Sequence, residues 1–185
     1  MKAVIQRVVS GSVSVDGNLV SSIGKGIVAL VGIHRDDTKA DLDYIVRKLV
    51  TLRLWEDEGG RRWAKSAKDL DLEILCVSQF TLYHVMKVRE NHNKIERKKS
   101  PSIKKLQGNK PDFHLAMSGD KSKLFYEDFL TEMKKAHGSE EKIKNGVFGA
   151  MMEVNIVNDG PVTLELDSIN NAAANDNKKS KAESK

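Results

Sequence analysis

One stretch, Glu73-Ile74-Leu75-Cys76-Val77-Ser78-Gln79-Phe80-Thr81-Leu82, limits what this chain can fold into more than any other. Its first half is apolar at successive positions and made of β-favouring residues, the pattern of a strand covered on both faces. Ile27-Val28-Ala29-Leu30-Val31-Gly32-Ile33, bounded by Gly24 and Gly26, reads as a second central strand. The first stretch then ends in Ser78, Gln79 and Thr81, polar residues that a buried strand has no packing reason to carry. They are candidates for chemistry or recognition; the plainer alternative is that they satisfy their own neighbours at a strand end.

The remaining elements follow from periodicity and turn chemistry. Lys2 to Val9 and Ser12 to Val15 alternate like half-buried strands, and Asp16-Gly17-Asn18 supplies a hairpin turn into a third strand, Leu19 to Ile23. Asp37 or Thr38 caps a helix whose Leu42, Ile45, Leu49 and Leu52 recur on one face, so it packs on the sheet. Arg53-Leu54-Trp55 leads into a polar glycine turn, Glu56 to Arg61. Gly108-Asn109-Lys110-Pro111-Asp112-Phe113 reads as a turn-forming cluster, ahead of a helix near Asp120 to His137 with Leu124, Phe125, Phe129 and Met133 inward and Gly138 as its stop. Val147 to Val157 reads as a long strand that ends at a Gly160-Pro161 turn, after which another begins.

Several function classes lose support. Neither a phosphate-loop nor a dinucleotide glycine pattern occurs, and the five histidines are scattered without a His-x-x-x-His pair, so no metal and no cofactor are expected. His34-Arg35-Asp36-Asp37 reads as turn and cap residues. The single cysteine, Cys76, excludes an internal disulfide and fits a reducing compartment. The N-terminus lacks a signal peptide's apolar core and no apolar run is long enough to span a bilayer, so a soluble, cytoplasmic protein without membrane contact is expected. The excess of Lys and Arg over Asp and Glu, 31 to 26, sits in two places. Between Val85 and Gln107 eight cations stand against two glutamates, and from Asn170 four lysines stand against two acids; the rest of the chain is net acidic. The first segment shows neither strand alternation nor a helical stripe and reads as an inserted, mobile loop; the second reads as a disordered basic tail.

With Ser78-Gln79-Phe80-Thr81-Leu82 and Asn158-Asp159-Gly160-Pro161-Val162-Thr163 both in view, the chain resembles the D-aminoacyl-tRNA deacylases. Met1-Lys2-Ala3-Val4-Ile5-Gln6-Arg7-Val8, Val31-Gly32-Ile33, Leu52-Arg53-Leu54-Trp55, Gly108 to Phe113 and Phe148-Gly149-Ala150-Met151 are similar to that family's signature segments, in the same order and over nearly the whole body. The resemblance implies an α+β fold: a mostly antiparallel, β-barrel-like sheet with two main helices packed on it, in a homodimer. Residues 1–169 would form the deacylase domain, with the basic loop 85–107 inserted and 170–185 as tail.

The implied activity is hydrolysis of the ester joining a D-amino acid, or glycine, to the terminal adenosine of tRNA, a proofreading step. Ser78, Gln79, Phe80 and Thr81 would line the ester site, with backbone N–H groups such as Phe80's facing the carbonyl oxygen. Two mechanisms are open: Thr81 as nucleophile, or a catalytic push from the substrate's ribose 2′-hydroxyl. No histidine or carboxylate adjoins Thr81 in sequence, which favours the second. Gly160 and Pro161 would form a cis-prolyl turn that enters the partner subunit's site and selects chirality, while Asn109, Lys110, Pro111, Phe113, Ala116, Met151, Asn158 and Thr163 contact substrate. Two departures stand out: the basic insertion, and Lys110 where the family commonly has arginine, which loses a planar fork. The charge pattern also allows a dimeric DNA-binding protein that grips through loop and tail, and, more weakly, a hydrolase of free D-amino-acid esters.

Overall fold

The computed structural model describes residues 1–89 and 105–169. The middle of the basic insertion, 90–104, and the tail from 170 lie outside the described residues. β1 (Lys2–Val15) organises the sheet, since β2 (Asn18–Ile23), β3 (Gly26–Gly32) and β10 (Glu153–Asp167) all pair antiparallel with it. Asp16 and Gly17 take φ of 50° and 76°, the positive pair that a two-residue type I′ hairpin needs, so the first turn is as expected.

Two long crossovers then change the pattern. The first carries α1 (Lys39–Thr51), β4 (Arg53–Trp55) and β5 (Lys65–Ser66) and ends in β6 (Glu73–Ser78), which pairs parallel with β3. The second carries β7 (Val85–Arg89), β8 (Lys105–Asp112) and α2 (Gly119–His137) and ends in β9 (Ile143–Asn145), parallel with β6. A crossover with a helix is what lets a chain return parallel. The sheet, in the order β10-β1-β3-β6-β9, is therefore mixed, and the antiparallel expectation holds only around β1. The Ser21 hydroxyl on β2 donates to the Asn145 carbonyl on β9 at 2.9 Å, so the sheet curls into a nearly closed barrel.

The central strands are buried on both faces, as their sequences require. Ile27, Ala29, Val31, Ile74 and Cys76 pack with Leu42, Ile45 and Leu49 of α1 and Tyr126, Phe129 and Met133 of α2. Val28, Leu75 and Val77 point the other way, into a second cluster with Val8, Val13 and Ile23. The α1 N-terminus is closed by Thr38, whose backbone N–H and hydroxyl both donate to the Asp41 carboxylate, at 2.9 and 2.8 Å.

Three local readings are corrected. Leu124 is 65% exposed and Tyr126 fills the core instead, beside Phe129 and Met133, which are buried as expected. The last strand begins at Glu153, not Val147, and Gly160-Pro161 does not end it: β10 runs on to Asp167. The described ends of the basic insertion are strands, and Lys105–Asp112 contains most of the cluster read as a turn; β7 and β8 form a two-stranded sheet of their own.

Candidate active site

β6 runs out at Ser78, and the Gln79 N–H donates to the Val31 carbonyl at 2.8 Å, carrying the parallel pairing one residue further. The chain then closes a single 3₁₀ turn, Phe80–Tyr83, in which the Gln79 carbonyl accepts from the Leu82 N–H at 3.3 Å. Such a turn leaves its first N–H groups, those of Phe80 and Thr81, without a carbonyl inside it. Gly32 is what lets the turn lie on the end of β3. A Cβ there would stand 3.0 Å from Leu82 Cβ, 3.1 Å from the Gln79 carbonyl oxygen and 3.3 Å from Tyr83 Cδ2.

Phe113 reaches this turn from the other side. The segment after β8 runs along Ile33–Arg35: Arg35 N–H donates to the Leu115 carbonyl at 2.9 Å, Met117 N–H to the Ile33 carbonyl at 3.0 Å, and Ala116 bridges to His34. The Phe113 ring then meets the Phe80 ring edge-on, centroids 5.0 Å apart, although Phe80 remains 58% exposed. Together they form an apolar lip beside those two N–H groups. The Gln79 amide donates to Thr81 Oγ1. Among the described residues that amide is the recorded side-chain partner of the Thr81 hydroxyl; His84 Nδ1 lies 3.0 Å from the Thr81 carbonyl instead.

Beneath the turn, Tyr83 is buried and its ring faces His34 at 5.0 Å. Its hydroxyl has no hydrogen-bond partner among the described residues, and burial, reinforced by the negative Asp37, Asp167 and Asp41, pushes its pKa far up, so it stays neutral. His34 itself is a turn residue, as its sequence suggested: its N–H donates to Asp37 Oδ2 at 2.6 Å. Gly32, His34 and Tyr83 support the site and were not singled out as site residues. Only Gly32, inside the Val31-Gly32-Ile33 signature, carried any signal.

The structure thus brings Ser78, Gln79, Phe80, Thr81, Phe113 and Ala116 together. Gly146 N–H donates to the Cys76 carbonyl at 3.1 Å, which ties the start of the 146–152 segment to β6; Met151, five residues further along the chain, is 92% exposed. Lys110 and Pro111 are exposed on β8, and Asn109 lies on the same strand.

Asn158, Gly160, Pro161 and Thr163 are elsewhere. Arg7 on β1 faces Val162 and Val8 faces Asn158, so Asp159, Gly160 and Pro161 bulge out of the ladder, with the Gly160-Pro161 bond cis. Arg7 anchors the bulge: its guanidinium donates to the Leu54 carbonyl at 2.5 Å and the Asp159 carbonyl at 3.3 Å, and pairs with the Asp159 carboxylate at 3.2 Å. Ser78 faces Val31, which faces Ala3 on β1. From Ala3 to Arg7 is four steps, about 13 Å along the strand, and β6 lies three strands from β10, about 14 Å across. Within one chain the two motifs do not meet.

The arrangement offers backbone donors, an amide and hydroxyls, and among the described residues no carboxylate or base is hydrogen-bonded to the Thr81 hydroxyl. It suits a substrate that is already activated and needs placement and oxyanion donors. Among the described residues no group of three or more His, Cys, Asp or Glu is placed to hold a metal ion, and no helix is long and apolar enough to cross a membrane.

Comparison with known proteins gives one consistent picture. The family model described as D-Tyr-tRNA(Tyr) deacylase matches residues 4–106 and 102–167, and the break falls in the basic insertion. A D-aminoacyl-tRNA deacylase of Dictyostelium discoideum is 49% identical over 91% of this chain and 98% of its own length. One of Drosophila melanogaster is 50% identical, covering 91% and 92%. A solved structure named c-Myc DNA Unwinding Element Binding Protein superimposes with a TM-score of 0.75 at 47% identity, over 90% of this chain and 98% of that one.

Proposed function

Because the chain belongs to the D-Tyr-tRNA(Tyr) deacylase family, we propose that it hydrolyses D-aminoacyl-tRNA, and tRNA mischarged with glycine, to free amino acid and tRNA. The observation that carries this reading is the end of β6: two N–H groups, Phe80's and Thr81's, left without a carbonyl inside their turn, beside a Gln79–Thr81 pair and an apolar lip. Water adds to the ester carbonyl, the developing oxyanion sits on the Phe80 N–H, and the bond to the ribose oxygen breaks as that oxygen takes a proton. The ribose 2′-hydroxyl supplies the push; what supports this is that Thr81 Oγ1 is engaged by an amide and has no base within hydrogen-bond reach among the described residues. Asn109, Lys110, Pro111, Phe113, Ala116 and Met151 hold the substrate from the same chain.

Gly160 and Pro161, flanked by Asn158 and Thr163, act from a second copy in a homodimer. What supports this is their separation from Ser78 within one chain and their anchored protrusion on Arg7. Main-chain carbonyls of the bulge, aimed at the substrate α-carbon, leave room for hydrogen and collide with an L side chain, so rejection is steric. The place of action is the cytoplasm. Release of labelled D-tyrosine from D-tyrosyl-tRNA, with the L-ester as control, tests the reading; no release at micromolar enzyme refutes it. A DNA-binding reading has one observation in its favour, the name of the similar solved structure, which speaks for that protein.

A further inference from the structure

We infer that the cavity beside the Gly160-Pro161 bulge is a stacking site for a nucleobase, with Trp63 as its platform, and that it takes the nucleotide preceding the terminal adenosine of a substrate whose ester lies in the partner copy's site. This rests on the composite-site reading above and adds where the next part of the substrate goes. Gly160, Pro161 and Val162 line a cavity of about 830 Å³, and Lys25, Arg62 and Trp63 line it with them. That is the size of a site for a small organic molecule. The bulge that enters the partner's site therefore brings this cavity to it. Ester and adenosine are held at the end of β6, so the base that reaches an adjoining cavity is the next one along the strand.

Trp63 stands outside both core clusters, 54% exposed, in the loop between β4 and β5. Its φ of 57° is a left-handed backbone that a bulky L residue rarely adopts, and such outliers gather at sites that bind. The loop is tied down on either side of it: the Ala64 N–H donates to the Trp55 carbonyl at 2.8 Å, and the Asp57 N–H to the Arg61 carbonyl at 3.1 Å. A fixed loop thus holds an indole out of the core, at a cavity. Charge decides the class of ligand. Arg7, Lys25, Arg62 and Lys65 line the cavity against Glu56, Asp57, Glu58, Asp69 and Asp159, five carboxylates to four cations, so it does not suit a bare polyanion. Arg7 is paired with Asp159, whereas Lys25 and Arg62 are exposed and have no ion-pair partner among the described residues. A nucleotide meets all three demands: a π face for the indole, ring amino groups that donate to Glu56 or Glu58, and one phosphate for Lys25 or Arg62. Single-stranded RNA is held in this way, by aromatic stacking beside cations.

The test uses two esters, D-tyrosyl-adenosine and D-tyrosyl-CCA, the second carrying the trinucleotide that ends tRNA. Trp63→Gly removes the ring and suits the left-handed backbone, so Tm should hold or rise. In that variant KM for D-tyrosyl-CCA should rise about tenfold and KM for D-tyrosyl-adenosine less than about twofold, since stacking on the preceding base is available to the longer ester alone. Binding is read separately by fluorescence. Uncharged CCA should quench the tryptophan emission of the unaltered chain and leave that of Trp63→Phe unchanged, because its remaining tryptophan, Trp55, is buried. An equal loss on both esters, a lower Tm in Trp63→Gly, or quenching that survives Trp63→Phe would each overturn the proposal. If neither ester is hydrolysed by the unaltered chain while quenching still depends on Trp63, the deacylase reading fails and the stacking site stands.

Discussion

Replacing Gly32 by alanine tests whether the Phe80–Tyr83 turn is the working part of the site. The new methyl would sit 3.1 Å from a carbonyl oxygen and 3.0 Å from Leu82 Cβ, closer than ordinary contact, and both neighbours belong to the turn. β3 cannot retreat, because β1 and β6 hold it on both edges, so the turn must give by a few tenths of an ångström. Overpacking of this kind costs about 1–3 kcal/mol. In a chain of this size each kcal/mol lowers Tm by roughly 2–4 °C. Loss of one oxyanion donor costs about 10²–10³ in kcat, so a partial displacement of the Phe80 N–H should cost about tenfold, with KM for the tRNA hardly altered. The assay is single-turnover release of D-tyrosine at saturating enzyme, alongside thermal unfolding. Gly11→Ala is the control: its methyl would meet Val28 Cγ2 at 2.7 Å, a comparable clash four residues down β3 from Gly32 and not on the turn itself, so stability should fall and kcat should not. If Gly32→Ala lowers Tm and leaves kcat intact, or the two variants lose kcat alike, the turn does not carry the chemistry.

Thr81→Ala should keep kcat within about tenfold, because an acylated nucleophile would cost several powers of ten; an acyl group trapped on Thr81 would reverse that assignment. Mixing Gln79→Ala and Pro161→Ala chains, each nearly inactive alone, should restore about a quarter of the unaltered rate, since half the dimers are mixed and one of their two sites is whole; no recovery after exchange sinks the composite site. Burial pushes the Cys76 thiol up to about 12, so iodoacetamide at about pH 8 should leave the folded protein unlabelled and modify it once guanidinium is added; labelling of the folded chain would mean that β6 opens locally.

What the sequence made legible is what neighbouring residues decide among themselves. Asp16-Gly17 sets its own turn, Leu42, Ile45 and Leu49 set the buried face of α1, and Gly138, with φ of 94°, stops α2. Where adjacent residues are equally apolar, the choice passes to the tertiary structure. Leu124, Phe125 and Tyr126 are all apolar enough to face inward ahead of Phe129 and Met133, and Tyr126, which meets Phe129 and Phe148, is the one buried while Leu124 is exposed. Parallel pairing of β6 with β3 leaves no local mark, since a strand covered on both faces reads alike in either direction. Gly108 to Asp112 has turn composition, but Val85–Arg89 opposite it makes a ribbon, and glycine and proline are tolerated where one edge is free.

The site divides in the same way. Ser78 to Thr81 stood out because polar residues follow a buried run, whereas His34 looked like an ordinary turn residue and Tyr83 drew no reading; their rings meet where the 3₁₀ turn lies against the end of β3. Gly160-Pro161 shows the limit of local rules most clearly. Gly-Pro ends strands when nothing else holds the chain, yet here β1 pairs with β10 on either side of it, and three residues are displaced outward. Arg7 then fixes the displaced segment through Leu54 and Asp159, leaving Gly160 and Pro161 exposed. The protrusion is anchored by a guanidinium, set several strands and strand steps away from Ser78, and holds Gly160 and Pro161 out of its own core. Its position makes sense if the surface it serves belongs to another copy, which is why the mixing experiment bears on the fold as much as on the reaction.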